Sequence, residues 1–288
     1  MGLLLINKPE GITSFRALNF YKKVFNTKRI GHTGTLDLFA SGLMIALVGS
    51  YARLASRIVC SDKEYKAVFS FGTMTDTLDP GGKVIAEGPL PDHDALHKVI
   101  SESIGIFMQV PPVYSAIHMQ GKRAYERVLA GEEVVMAPRQ VSIDSFVLED
   151  YSDGKATVTV SCSKGTYIRS LARDIAQALG TVAHVSALER TRVGAFHVSE
   201  AYTPSEDVKP ILIQGPELLR AMGGISAVFP ERDVCNHLLH GKPLRREWFT
   251  AAPEGDLAVF SPEQKLLCIL RQENGMYVYE SVFSEALS

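Results

Sequence analysis

Seven residues, Gly31-His32-Thr33-Gly34-Thr35-Leu36-Asp37, bring together two glycines, two hydroxyls, a histidine and a carboxylate. Two chemistries fit this loop. Its glycines and the hydroxyls of Thr33 and Thr35 could cradle a phosphate, although no lysine follows Gly34. Alternatively Asp37 is a nucleophile or base on a rigid turn, with His32 beside it. The plainer alternative makes Asp37 a helix cap and His32 a structural histidine. By the same plain standard Tyr65 belongs to a strand core and Arg169 to a helix surface.

Other chemistries lack support. The chain has no phosphate loop ending in Gly-Lys-Ser/Thr and no Gly-x-Gly-x-x-Gly turn, so no nucleotide cofactor is expected. It has no His-Glu-x-x-His, no calcium loop and no Gly-x-Ser-x-Gly elbow, which removes metal-assisted and serine hydrolysis. Cys60, Cys162, Cys235 and Cys268 are far apart with no Cys-x-x-Cys, so neither a zinc site nor a disulfide framework is expected. Carboxylate chemistry is what is left.

The elements that must position these residues read as follows. Gly2 to Ile6 is a buried strand stopped by Pro9 and Gly11. Thr13 or Ser14 caps a helix with Phe15, Leu18, Phe20, Tyr21, Val24 and Phe25 on its apolar face and Arg16, Lys22, Lys23 and Lys28 in water. The candidate loop follows, then the apolar run Gly42 to Val48. Lys63 to Phe71 alternates as a strand, and Asp76 to Gly82 is turn material. Residues 92–104 form a helix capped at Asp92 or Asp94, Pro111-Pro112 breaks the chain, and 124–131 is a short helix. A hairpin turns at Asp153-Gly154, and Thr166 caps a helix to Leu179 that sets Arg169 and Arg173 one turn apart. Prolines and Gly223-Gly224 then punctuate a connecting region. A short helix near 231–240 and three short strands within 257–282 complete the tail.

At 288 residues, 46% hydrophobic and 22% charged, the chain is an ordinary globular one with room for a large domain and a small one. Helices and strands interleave without regular βαβ spacing, so the expected class is α+β. The net charge of −2 conceals an asymmetry. Residues 1–62 hold eight basic against three acidic side chains, and 199–288 hold eight against thirteen. A local basic face for an anionic partner is compatible with that sum, because screening confines charge effects to about 10 Å. No stretch approaches the roughly 18 apolar residues of a membrane span, and the short run before Asn7-Lys8-Pro9 is no signal peptide. The expected setting is a reduced cytoplasm.

GHTGTLDLFASGLM (residues 31–44) resembles the active-site motif of the tRNA pseudouridine-55 synthase family, the TruB type. Further family motifs follow in order: NKPEGITS (7–14), DKEYKAVFSFGTMTDTLDPGG (62–82), VPPVYSAIHMQGKRAYERVLAGE (110–132), SKGTYIRSLARDIAQALG (163–180) and LERTRVGAF (188–196). The resemblance covers roughly residues 2–198. It implies a mixed, largely antiparallel sheet flanked by helices, the pseudouridine synthase fold, over 1–228, with 111–135 as an RNA-gripping insertion. A small β-rich PUA-like module would occupy 229–288.

The activity implied is isomerisation of the T-loop uridine of tRNA. The C1′–N1 bond breaks and ribose rejoins at C5, so neither cofactor nor metal is required. Asp37 matches the essential aspartate, as nucleophile or as base toward the ribose. Arg169 matches the active-site arginine, and Tyr65 the active-site tyrosine that stacks on uracil with its phenol near C5. His32 matches the residue that fills the gap left by the flipped base, and Leu188 would cover the base's other face. Lys8 with Pro9 would support the loop. Gly31, Thr33, Thr35 and Tyr167 fall within the substrate-binding motifs. Lys22, Lys23, Lys28, Arg29, Arg53, Arg57, Lys122, Arg123, Arg190 and Arg192 are candidates to meet phosphates. The implied partner is the T-stem-loop of tRNA, met by a monomer with no protein partner and no membrane. The chain departs from the family at Leu38, where proline is usual, at His118, where lysine is common, and at Glu189, where arginine is common. The competing class is an RNA-folding protein without the reaction; a nearer alternative is an isomerase guided to other RNAs.

Overall fold

The computed structural model describes residues 1–58, 62–119, 121–205, 209–249 and 252–283. Its strands are β1 (Gly2–Lys8), β2 (Ile30–His32), β3 (Ser41–Val48), β4 (Lys63–Phe71), β5 (Thr73–Thr75), β6 (Val84–Glu87), β7 (Gly105–Gln109), β8 (His118–Met119) and β9 (Lys122–Arg123). After these come β10 (Arg139–Ser152), β11 (Lys155–Cys162), β12 (Ala183–Val193), β13 (Phe196–His197), β14 (Ile225–Val228), β15 (Asp256–Phe260), β16 (Leu266–Glu273) and β17 (Met276–Val282). The helices are α1 (Ser14–Val24), α2 (Ala55–Ile58), α3 (His93–Glu102), α4 (Ala124–Leu129), α5 (Ile168–Ala178) and α6 (Arg232–Leu239).

Burial on both sides explains why β1 and β3 read as unbroken apolar runs. Side chains alternate across a strand, so Leu4, Ile6, Met44 and Ala46 enter a core shared with α1, α3 and α5. Leu3, Leu5, Leu43, Ile45 and Leu47 enter a second core on the other face, completed by Phe260, Leu266, Ile269 and Phe283 of the C-terminal region. β4 has Tyr65, Ala67, Phe69 and Phe71 in the first core, which is the alternation its sequence shows.

The main sheet runs β1-β3-β12-β4-β11-β10-β7, with β2 on β3 and β13 on β12. Its ladders are antiparallel except β12 on β3, which pairs Glu189 with Ser41 and Arg190 with Gly42 in parallel. A mixed, largely antiparallel α+β sheet is therefore what the chain builds. A smaller sheet, β14-β15-β16-β17, follows. Its first strand, Ile225–Val228, lies before the expected boundary after residue 228 and pairs in parallel with β15. Arg57 also ties the two sheets, through Asp256 and Glu280.

Local chemistry differs from expectation at Phe15 and Thr166, and decides between Thr13 and Ser14 as the cap of α1. Phe15 is 64% exposed rather than on the apolar face of α1, and Lys22 lies over its ring. Thr13 caps α1 by accepting from Arg16 N, which frees Ser14 for another task. Thr166 does not cap α5: its hydroxyl donates to Ser163 O at 3.0 Å, and Tyr167 is the cap residue. Among the described residues no helix is long and apolar enough to cross a membrane. Cys162, Cys235 and Cys268 are buried free thiols; Cys60 lies outside the described residues.

Candidate active site

Asp37 sits in the turn between β2 and β3, and both of its neighbours are tied down. Ser14 Oγ donates to Leu36 O at 3.1 Å and accepts from Leu36 N at 3.0 Å. Gly11 N donates to Leu38 O at 2.9 Å. The segment carrying Gly11 is in turn held by Lys8, fully buried, whose Nζ donates to Pro9 O at 2.9 Å and Ile12 O at 2.8 Å. Burial draws the Lys8 ammonium down to about 8, against the attraction of Asp37. No helix starts at Asp37, so helix capping does not account for its carboxylate.

That carboxylate is gripped by Arg169 from the first turn of α5. Arg169 Nη2 donates to Asp37 Oδ1 at 3.1 Å, and Nε lies 2.9 Å from Oδ2. One hydrogen bond through Nη2 and one close ionic contact through Nε set direction as well as charge. Arg169 is itself held: Nη1 donates to Thr77 O at 2.7 Å and to Asp79 Oδ2 at 3.2 Å, while Nη2 donates to Tyr114 O at 2.9 Å. It is 3% exposed, against 35% for the Asp37 side chain. The arginine is thus interior, hydrogen-bonded through both Nη atoms while its Nε makes only an ionic contact, and the aspartate is the member of the pair that a ligand can reach. Burial pushes the Asp37 carboxyl above the usual carboxylate range; Arg169 pulls it back, Asp79 adds to the rise and Lys8 opposes it.

Tyr65 is buried on β4, directly across the ladder from Arg190 on β12. Burial raises its phenol, and the charge and hydrogen bond of Arg190 draw it back; Asp37 lies within electrostatic reach and adds to the rise. Leu188, two positions before Arg190, shares the core with Tyr65 and Leu36. The structure therefore brings Arg169 and Tyr65, from separate elements, within reach of Asp37, while Leu188 belongs to the same large core.

Arg190 has a different task from the phosphate contact expected of it. It is 3% exposed, with Nε donating to Leu43 O at 2.7 Å and Nη2 to Gly34 O at 3.1 Å. A guanidinium so enclosed braces the loop and Tyr65 and is out of reach of an RNA backbone. Gly42, opposite it, has φ +104°, and a Cβ there would lie 2.4 Å from Arg190 O, so only glycine admits this close parallel pairing.

Three other phosphate candidates have partners within the protein. Arg192 donates to Gly194 O at 3.0 Å and faces Glu64 at 3.9 Å. Arg53 donates to Val282 O at 2.7 Å, and Arg57 pairs with Asp256 and Glu280; both turn toward the C-terminal sheet. Lys122 and Arg123 remain exposed on β9. Arg123 acts on His32, whose imidazolium is disfavoured chiefly by burial and then by Arg190 and Arg123. Thr33 is buried, with its N–H on Ile45 O at 3.1 Å, while Thr35 is exposed and Gly31 pairs in β2. Tyr167 is half-buried beneath Arg139, whose guanidinium lies 4.7 Å from the ring centre.

Asp79 escapes a reading of the sequence because Asp76 to Gly82 is turn-forming throughout. Its Oδ1 does turn work, accepting from Thr77 Oγ1 at 2.7 Å and Gly81 N at 3.0 Å. Its Oδ2 faces Arg169. Among the described residues no cluster of three or more His, Cys, Asp or Glu could hold a metal ion.

Comparison with solved structures agrees on the fold. The chain matches, over its whole length and 88% of the other, a chain of an archaeal box H/ACA sRNP Nop10–Cbf5 complex, with TM-score 0.70 and 19% identity. A chain of a Cbf5–Nop10–Gar1 complex matches over 98% of this chain and 84% of the other, with TM-score 0.66 and 20% identity. Residues 22–168 match the model of the N-terminal domain of TruB family pseudouridylate synthases, and 169–220 that of the tRNA pseudouridylate synthase B C-terminal domain. The class is thus pseudouridylate synthase. The chain belongs to the TruB family. Among its relatives, tRNA pseudouridine synthase B of Borrelia garinii subsp. bavariensis is 43% identical over 243 residues, 83% of this chain and 85% of the relative. The protein of the same name from Bordetella parapertussis is 43% identical over 206 residues, 70% of this chain and 84% of the relative.

Proposed function

We propose that this protein isomerises the T-loop uridine of tRNA, position 55, to pseudouridine, with Asp37 as the reacting carboxylate. The observation that carries the reading is the asymmetric pair: a solvent-facing Asp37 held by one edge, Nε and Nη2, of an interior Arg169. An ionised carboxylate of fixed direction is what either attack on the ribose or removal of a ribose proton demands. The arginine opposes the rise that burial imposes on that carboxyl.

The reaction is internal to the substrate. C1′–N1 breaks, C1′–C5 forms, the proton on C5 departs and N1 gains one. No external oxidant, reductant or group donor enters that balance. The target base must first leave its stack, at a cost of a few kcal/mol. His32, kept neutral by burial, is suited to the space the base vacates, because a neutral ring replaces stacking without an uncompensated charge. Tyr65 and Leu188 offer an aromatic and an aliphatic wall for the extruded uracil. Arg190 offsets part of the cost that burial puts on a phenolate at Tyr65.

Lys122 and Arg123, on the insertion 111–135, are the contacts proposed for T-stem phosphates. The catalytic unit is assigned to 1–228 and a small PUA-like module to 229–288, with β14 contributed from the catalytic side. A monomer in the cytoplasm completes the reading.

Tritium release from unmodified tRNA labelled at C5 of uridine tests the reaction. Release is expected from the wild type, and none from Asp37→Asn or from a transcript carrying cytidine at the target position. Release from either control would remove the assignment.

A further inference from the structure

Gln109, the last residue of β7, is completely buried, and its side-chain amide meets a single peptide unit on each side of one residue. Oε1 accepts from Tyr167 N at 2.8 Å, and Nε2 donates to Tyr167 O at 3.2 Å. Tyr167 is the cap residue of α5, and no side chain caps that helix. Its carbonyl also accepts the first bond of α5, from Leu171 N at 3.0 Å. We infer that Gln109 is a positioning residue for the reaction: it fixes where α5 begins, and therefore the direction from which Arg169, two residues further on, meets Asp37. The inference rests on the Asp37–Arg169 reading given above.

The physical case is one of alternatives. A fully buried amide costs several kcal/mol unless both its donor and its acceptor are matched, and an apolar side chain of equal volume would fill the same space without that demand. What the amide adds is direction. The following residues extend the same lacing. Val110 O accepts from Ser170 Oγ at 2.8 Å and from Arg173 Nη2 at 2.9 Å, and Tyr114 O accepts from Arg169 itself. The ring of Tyr167 is pinned separately by Arg139, whose backbone pairs with Gln109 across β10 and β7. The segment 109–114 thus locks onto the first turns of α5, and Gln109 is its one side-chain contribution. The same segment leads into the strands bearing Lys122 and Arg123.

The test is Gln109→Met, nearly equal in volume and without an amide, with Gln109→Glu as a second variant that keeps an acceptor for Tyr167 N. A misplacement of about 1 Å costs on the order of 100-fold in rate, so kcat is expected to fall by about that factor. Affinity for tRNA is expected to stay within about twofold, since no phosphate contact is touched. The acid limb of kcat should move to higher pH, because a loosened Arg169 lets burial raise the Asp37 carboxyl further. Against an Arg169→Lys background, Gln109→Met should cost no more than about another twofold, as residues acting through one another are not additive. Wild-type kcat and pH profile in both variants, or a loss that multiplies in full on Arg169→Lys, would overturn the inference. Asp37→Asn, run alongside, separates the two readings. If it is inactive while Gln109→Met behaves as wild type, only the role of Gln109 falls; if it turns over, both fall.

Discussion

Arg169 holds two carboxylates with one guanidinium, Asp37 through Nε and Nη2 and Asp79 through Nη1. Asp37 faces solvent more than Asp79 does, so one end of the arrangement is open to a ligand and the other anchors the arginine. A lysine could satisfy either carboxylate but not both with fixed direction. Arg169→Lys is therefore expected to lower kcat about 10²- to 10³-fold, the scale of losing one preorganised electrostatic contact, with tRNA affinity retained. Single-turnover tritium release and filter binding on the same preparation give both numbers. A variant with normal kcat would show that the fork is dispensable.

Asp79 also has a predictable signature in pH. Its negative charge raises the Asp37 carboxyl. Asp37 must be ionised to react, so activity falls as pH drops through its titration. Asp79→Asn keeps an oxygen for Arg169 Nη1 while removing the charge, and the acid limb of kcat is expected to move to lower pH. Movement to higher pH would mean instead that Asp79 matters chiefly by holding Arg169 in place.

Much of this was legible beforehand because local pattern and tertiary role agree. The alternation of Lys63–Phe71, the cap at Asp92 and the glycine after α5 all mark elements that form where expected. β12 did not announce itself. Bulges between Val185 and Ala187 and between Arg190 and Arg192 break its period of two, and a buried arginine occupies an inward position. For Arg190 charge alone suggested surface, whereas its partners are carbonyls supplied by Leu43 and Gly34, brought close only when β3 and β12 pair in parallel. The partners of Asp79 and Gln109 are likewise distant in sequence. Asp37, Tyr65 and Arg169 were found through motif resemblance; spacing alone left a capping aspartate, a core tyrosine and a surface arginine.

The burial of Arg190 separates it from the exposed cations by experiment. Each phosphate contact released contributes about one to the slope of log affinity against log salt. Lys122→Ala and Arg123→Ala are expected to weaken tRNA binding and to lower that slope by about one each. Arg190→Met is expected to leave the slope unchanged while reducing kcat, because it loosens the loop at Gly34 and the partner of Tyr65. Binding titrations at several salt concentrations decide the matter. A reduced slope for Arg190→Met would put that side chain on RNA after all.

The C-terminal sheet bears on folding before it bears on RNA. Leu3, Leu5, Leu43, Ile45 and Leu47 form one face of the main sheet, and Phe260, Leu266, Ile269 and Phe283 cover them. Burying each such side chain contributes about 1.5–3 kcal/mol, and net domain stability is only about 5–15 kcal/mol. Deleting residues 225–288 would bare that face and also leave Arg57 without Asp256 and Glu280. The shortened chain is therefore expected to aggregate or to unfold at far lower denaturant than the full chain, rather than to persist as an active core that merely binds tRNA less well. Size-exclusion chromatography and urea unfolding of the truncated chain distinguish these outcomes. A monomeric, cooperatively folding fragment with tritium-release activity would show that the module serves RNA binding alone.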